Sequence, residues 1–214
     1  MELFLIRHGR SFWNHERRIQ GHRDPRLSPQ GLSDARHLAA GLKMRLGTPT
    51  GKKYVLVSSP LRRAHETARV LSRVIGLPVV RRPALKETSL GEWEGKLVAD
   101  IRRVDAGRLA RWYRDPTRVR LKGAEGIAAF RRRVRREIQS LLYIYGEADR
   151  MLIVTHGGWI STLLTDVVGI PLGRMWTFVV DNCSLTRLHW DGKKLFLRSF
   201  NEASPAPHRR PEVS

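Results

Sequence analysis

Residues 2–9, Glu2-Leu3-Phe4-Leu5-Ile6-Arg7-His8-Gly9, decide how this chain is read. Four consecutive apolar residues stop abruptly at an arginine, a histidine and a glycine. A short apolar run without polar alternation reads as a strand buried on both faces, followed by a loop. Two later runs have the same shape: Tyr54-Val55-Leu56-Val57 ends at Ser58-Ser59-Pro60, and Met151-Leu152-Ile153-Val154-Thr155 ends at His156-Gly157-Gly158. Between them, apolar residues recur at helical spacing. Leu32, Ala35, Leu38, Ala39 and Leu42 follow Gly31, and Ile127, Phe130, Val134, Ile138, Leu141 and Leu142 form a longer series. Strands alternating with helices predict one α/β domain with a mostly parallel sheet. Sites in such sheets form at the carboxyl ends of the strands. Three of those ends carry Arg7-His8-Gly9, Ser58-Ser59-Pro60 and Thr155-His156-Gly157.

Outward from these strands the chain offers fewer signals. Asp191-Gly192, between Ser184–Trp190 and Lys193–Phe200, predicts a hairpin with a two-residue turn. Residues 203–214, with Pro205, Pro207 and Pro211, read as a disordered tail beyond a domain spanning 1–202. A length of 214 residues fits one large domain. No run approaches the roughly 18 apolar residues of a membrane span, and Arg7 arrives too early for a signal-peptide core. The single cysteine, Cys183, excludes an intramolecular disulfide and a cysteine-based zinc cluster. The expected compartment is the cytoplasm. The formal charge is +20, but its arginines are scattered along the chain and form no basic arm. Nucleic-acid binding is therefore not the favoured role. The run Arg131-Arg132-Arg133-Val134-Arg135-Arg136 reads as the solvated face of the Ile127–Leu142 helix.

The strand ends gain meaning from their surroundings. Arg7-His8-Gly9 is followed by Trp13-Asn14, Gln20-Gly21, Asp24, Leu27-Ser28 and Gly31. Next comes Ser58-Ser59-Pro60-Leu61-Arg62-Arg63-Ala64 with Thr67-Ala68. Leu85, Glu87 and Gly91-Glu92-Trp93-Glu94-Gly95 precede Thr155-His156-Gly157-Gly158. In this order the blocks resemble the histidine phosphatase superfamily, the phosphoglycerate-mutase-like branch. They look most like its broad-specificity phosphatases. The resemblance implies a single-domain three-layer α/β/α sandwich around a mostly parallel sheet, with a cap-like insertion over about residues 97–123.

It also implies roles. His8 corresponds to the nucleophile, Arg7 and Arg63 to the phosphate-clamping arginines, His156 to the second histidine, and Glu87 to the general acid. Asn14, Gln20, Gly21 and Gly157 match positions that bind substrate. The residue types suit phosphoryl transfer. A neutral imidazole is nucleophilic near neutral pH, and a guanidinium fork matches two phosphate oxygens. A carboxyl group can protonate the leaving oxygen and then activate water. Two departures stand out. Arg10 and Ser11 follow the motif where the family usually has Glu and often Thr. Gly123-Ala124-Glu125-Gly126 lacks the serine of the family's Gly-Gly-Glu-Ser block.

The function so implied is metal-independent hydrolysis of phosphomonoesters through a phosphohistidine. The alternatives are a phosphoglycerate mutase using the same His8 and, from a different class, a non-catalytic basic nucleic-acid-binding protein on this fold. The other histidines show no metal-ligand spacing, and neither a Walker loop nor a nucleotide fingerprint appears. No metal or cofactor is implied. The partner is a small phosphorylated substrate, and the arginines from Arg102 to Arg120 suggest a second anionic group on it. A homodimer is left open.

Overall fold

The first strand runs Glu2–Arg7 (β1) and lies between two others, so its side chains alternate between two interiors. Leu3 and Leu5 share one apolar cluster with Phe130, Val134, Leu141, Trp159 and Leu163. Phe4 and Ile6 share another with Leu38, Leu42, Leu71 and Ile75. An unbroken apolar run is what such a doubly covered strand requires.

The computed structural model describes residues 1–47 and 51–203. After β1 come α1 (Phe12–His15), α2 (Pro29–Leu46), β2 (Tyr54–Ser58), α3 (Arg62–Ile75) and β3 (Val79–Arg81). Then follow α4 (Val98–Arg114), α5 (Ile127–Tyr145), β4 (Arg150–Thr155), α6 (Gly157–Val168), β5 (Leu185–Trp190) and β6 (Leu195–Glu202). The sheet order is β3-β2-β4-β1-β5-β6. The first four strands in that order are mutually parallel; β5 runs antiparallel to β1, and β6 antiparallel to β5. Residues of α2 and α3 build one covering layer, and those of α5 and α6 the other. The three-layer sandwich with a mostly parallel sheet is therefore present.

Local sequence explains where helices start and stop. Ser28 accepts a hydrogen bond from the Gly31 amide, and Pro29 stands at the first turn of α2. Gly76 and Gly169 end α3 and α6 in the left-handed region. A third apolar cluster, Trp93, Ile101, Leu109, Trp112, Val119, Leu121, Ile127 and Met175, is built largely from α4 and the turns around it. Helix α4 bends at Asp105, whose φ of −152° and ψ of 49° are not helical.

One expectation is corrected. The hairpin loop spans four residues, because Trp190 pairs with Leu195. The Asp191 carboxylate accepts from the amides of Lys193 and Lys194, which closes a wider turn than Asp-Gly alone predicts. Strand β3, short and at the sheet edge, has no counterpart in the apolar pattern. The tail expected over 203–214 lies, from residue 204 on, outside the described residues.

Candidate active site

The ends of β2, β4 and β1 are neighbours, since Arg7 pairs with Thr155 and Ser58 with Val154. His8 is therefore held by its main chain before its side chain is considered. Its amide donates to the Thr155 carbonyl at 3.0 Å, and its carbonyl accepts from Asn182 Nδ2 at 2.9 Å. The ring is 3% exposed. His8 Nδ1 lies 2.7 Å from the Gly9 carbonyl. A carbonyl can only accept, so Nδ1 carries the proton and Nε2 presents a lone pair. Arg63 Nε donates to that lone pair at 3.2 Å. Burial holds the His8 imidazolium well below the ordinary value of 6.5, with Arg63 and Arg7 adding like-charge repulsion. The resting ring is neutral.

His156 lies edge-on to His8, with ring centroids 5.1 Å apart, and is fully buried. Its Nε2 is 2.8 Å from Ser59 Oγ, which itself accepts from the Leu61 amide. When the Ser59 hydroxyl donates to Nε2, Nδ1 carries the ring proton and is left as a donor. Burial, then Arg63, His8 and Arg7, keep this ring neutral as well. Among the described residues, His156 Nδ1 and Arg7 Nε are both buried without a hydrogen-bond partner. Unmet buried donors are costly unless something occupies them.

These shifts set a pH dependence. Above 6.5 the imidazoles are neutral folded or unfolded; below it, the unfolded chain takes protons that the fold refuses. Stability is then lost as pH falls from 6.5 toward the depressed folded-state values. Thermal unfolding followed from about pH 7.5 to 5.5 is expected to show this fall, with a shallower slope in His156→Gln.

Arg63 enters from the first turn of α3 and is 1% exposed. Its Nη1 donates to the Arg23 carbonyl and its Nη2 to the Gly21 carbonyl, both at 2.9 Å. Burial lowers its pKa to about 10, against the pull of Glu87 and Asp24, so it stays cationic. Neighbouring Arg62 is exposed and pairs with Glu66 at 3.2 Å, which separates the two arginines' duties. Arg7 Nη1 donates to the Val180 carbonyl, and burial lowers its pKa too.

Glu87 Oε2 accepts from the Gly158 amide at 3.0 Å, in the first turn of α6, and Oε1 accepts from Thr88 at 3.0 Å. A Cβ on Gly158 would stand 2.6 Å from Glu87 Oε1, so this carboxylate reaches the helix only because a glycine is there.

These groups open into a cleft of about 460 Å³ lined by Arg7, His8, Asn14, Gln20, Gly21, Arg63 and Glu87. Asn14 Oδ1 and Gln20 Oε1 each lie 3.0 Å from Ser11 Oγ. That network leaves their NH₂ groups as donors. Gly157 is not on the cleft wall; it stands behind Arg7, where a Cβ would come within 3.4 Å of Arg7 Nε. Of the arginines from Arg102 to Arg120, only Arg102 lines the cleft. Arg103 pairs with Asp100, Arg108 with Glu92 and Asp105, and Arg118 with Asp115. Arg10 turns to Asp34 at 3.6 Å.

Several supporting residues escape a reading of the sequence. Glu94 Oε1 accepts from His22 N, Leu90 N and Ser89 Oγ, tying the loop that holds Arg63 to the loop after Glu87. Gly21, at φ +51°, passes so close that a Cβ would meet that carboxylate. Arg133, within the run expected to be solvated, donates to the carbonyls of Ala84, Lys86 and Glu87 and to the Glu125 carboxylate. Arg131 and Arg135 both pair with Asp166. The run is thus largely an anchoring face. Thr67 was visible as part of the motif series; its Oγ1 accepts from the Gly9 amide and donates to the Arg63 carbonyl. Cys183 is buried.

A site built on strand ends, with paired histidines and buried arginines, defines the class. The chain belongs to the histidine phosphatase superfamily (branch 1), whose model matches residues 3–203. Among its relatives is the "Putative phosphoserine phosphatase 2" of Hydrogenobacter thermophilus, 32% identical over 200 residues covering 94% of this chain and 95% of that protein. The adenosylcobalamin/alpha-ribazole phosphatase of Escherichia coli is 32% identical over 202 residues, covering 94% and 96%. A "Probable phosphoglycerate mutase" of Yersinia pestis is 27% identical over 190 residues, covering 89% and 85%. Among solved structures, mycobacterial glucosyl-3-phosphoglycerate phosphatase with VO3 superposes with a TM-score of 0.82 at 30% identity, covering 94% of this chain and 98% of that one. No helix among the described residues is long and apolar enough to cross a membrane.

Proposed function

We propose that this chain hydrolyses phosphomonoesters without a metal ion, through a phosphohistidine on His8 Nε2. The observation that carries the reading is the neutral His8, its Nδ1 proton fixed on Gly9 and its Nε2 facing a buried arginine. The Nε2 lone pair attacks phosphorus in line as the P–O bond to the leaving alcohol breaks. Glu87 gives its proton to the departing oxygen. The charge spread over the phosphoryl oxygens is met by Arg7, Arg63 and the His156 Nδ1–H, placed beforehand in a buried site. In the second step Glu87 takes a proton from water, which attacks phosphorus while the P–N bond breaks. Phosphate leaves, and His8 and Glu87 return to the state in which they met the substrate. Asn14 and Gln20 donate to the phosphoryl oxygens, and Gly157 acts indirectly by leaving room for Arg7.

The test is phosphate release from an aryl phosphate in excess EDTA, with a labelled substrate quenched in base. Steady release despite the chelator, and label held on His8 in a base-stable, acid-labile bond, are the expected results. Release abolished by EDTA defeats the metal-free mechanism. Phosphate passing to a second hydroxyl group rather than to water makes the enzyme a mutase.

A further inference from the structure

The cleft is larger than a phosphoryl group needs, and its outer half has a distinct chemistry. At 460 Å³ it is in the range of pockets that enclose whole organic ligands. Beyond the phosphoryl end its wall is aromatic and aliphatic, with Trp13, Ile19, Leu90, Val98, Tyr113 and Trp176. Tyr113 and Trp176 stand side by side with ring centroids 6.5 Å apart, and Trp176 is backed by Trp112 at 6.0 Å. Tyr113 is half exposed, at 51%, so one ring stands at the mouth against a packed aromatic base.

Charge sorts the possibilities further. Glu87 is the only carboxylate among the lining residues, and it belongs to the phosphoryl end. The outer cations are Arg17, Arg18 and Arg102. Arg18 is engaged by Glu16 at 2.7 Å and the Gly95 carbonyl at 2.7 Å, and lies over the Trp13 ring. Arg102 lies near enough to Tyr113 to act on its hydroxyl electrostatically, and it forms no ion pair among the described residues. An ammonium on the leaving group would meet arginines and no acid to pair with, which is unfavourable in a partly desolvated cleft.

Resting on the phosphatase reading above, we propose that the substrate is a phosphomonoester of an alcohol with a flat apolar or aromatic body and an anionic substituent. The body lies on Tyr113 and Trp176, and the anion faces Arg102. Small aminated alcohols are rejected.

Aryl esters would confound the test through their better leaving groups, so alkyl esters of matched basicity are compared: propyl, 3-phenylpropyl, 3-(4-carboxyphenyl)propyl and 3-aminopropyl phosphate. The phenyl ring is expected to raise kcat/KM over propyl by about tenfold or more. The carboxylate adds a further several-fold that is lost in Arg102→Ala, and the amine is the poorest substrate. Tyr113→Ala and Trp176→Leu each shrink the phenylpropyl-to-propyl ratio. A ratio measured on one sample does not depend on how much of a variant has folded. Equal kcat/KM for all four esters, or ratios untouched by the substitutions, overturns this proposal while leaving the phosphatase reading intact. No release from any ester overturns the phosphatase reading itself.

Discussion

His8→Ala is expected to lower kcat on an aryl phosphate by about four orders of magnitude, because the covalent route is lost with the nucleophile. The pocket it leaves stays cationic. Arg63 keeps its bonds to the Gly21 and Arg23 carbonyls, and Glu87 keeps the Gly158 amide. Substrate affinity should therefore fall far less than turnover, so the loss appears in kcat rather than KM. No label should be trapped on the variant. Activity within about tenfold of wild type would mean that water attacks phosphorus directly, and the phosphohistidine would have to be given up.

Arg63→Lys should behave as a severe variant despite keeping the charge, with kcat/KM down by about 10²- to 10⁴-fold. Arg63 reaches three places at once from one planar group: His8 Nε2 and the carbonyls of Gly21 and Arg23. An ammonium has three donors but no rigid fork, and its shorter reach cannot span both carbonyls and the imidazole. Arg63→Met, which loses the charge as well, should still fall within about tenfold of Arg63→Lys, since the planar fork is what both lose. Steady-state kinetics on the two variants, beside thermal unfolding to confirm folding, checks this. Near-normal kcat/KM for Arg63→Lys would reduce the role of Arg63 to that of a point charge.

How far the sequence reached is explained by the distance over which its signals act. Strands β1 and β4 were legible because double burial forces continuous apolar runs, and those runs end where chemistry begins. His8 and His156 stand at such ends, Arg63 was legible through the resemblance, and the structure brings the three together. Glu87 was legible only through resemblance, as no local pattern announces a residue that reaches the first turn of α6 from a loop 71 positions earlier. Asn182 and Arg133 act through contacts 174 and 46 to 49 positions away in sequence, where periodicity carries no information. The arginine run misled because five guanidinium groups look alike in a string. Only packing shows that Arg133 turns inward to carbonyls while Arg132 faces water. Asp191-Gly192 misled more mildly, its aspartate capping two amides of a longer loop.

The separation of the third apolar cluster from the two that clasp the sheet has a historical consequence. The phosphoryl end stands on strand ends whose side chains are locked into the first two clusters, whereas Trp112 and its neighbours belong to the third. Mutations that reshape the outer wall are thus insulated from the reacting atoms, and those that disturb the floor are not. A lineage built this way diversifies in what it accepts while its chemistry stays fixed.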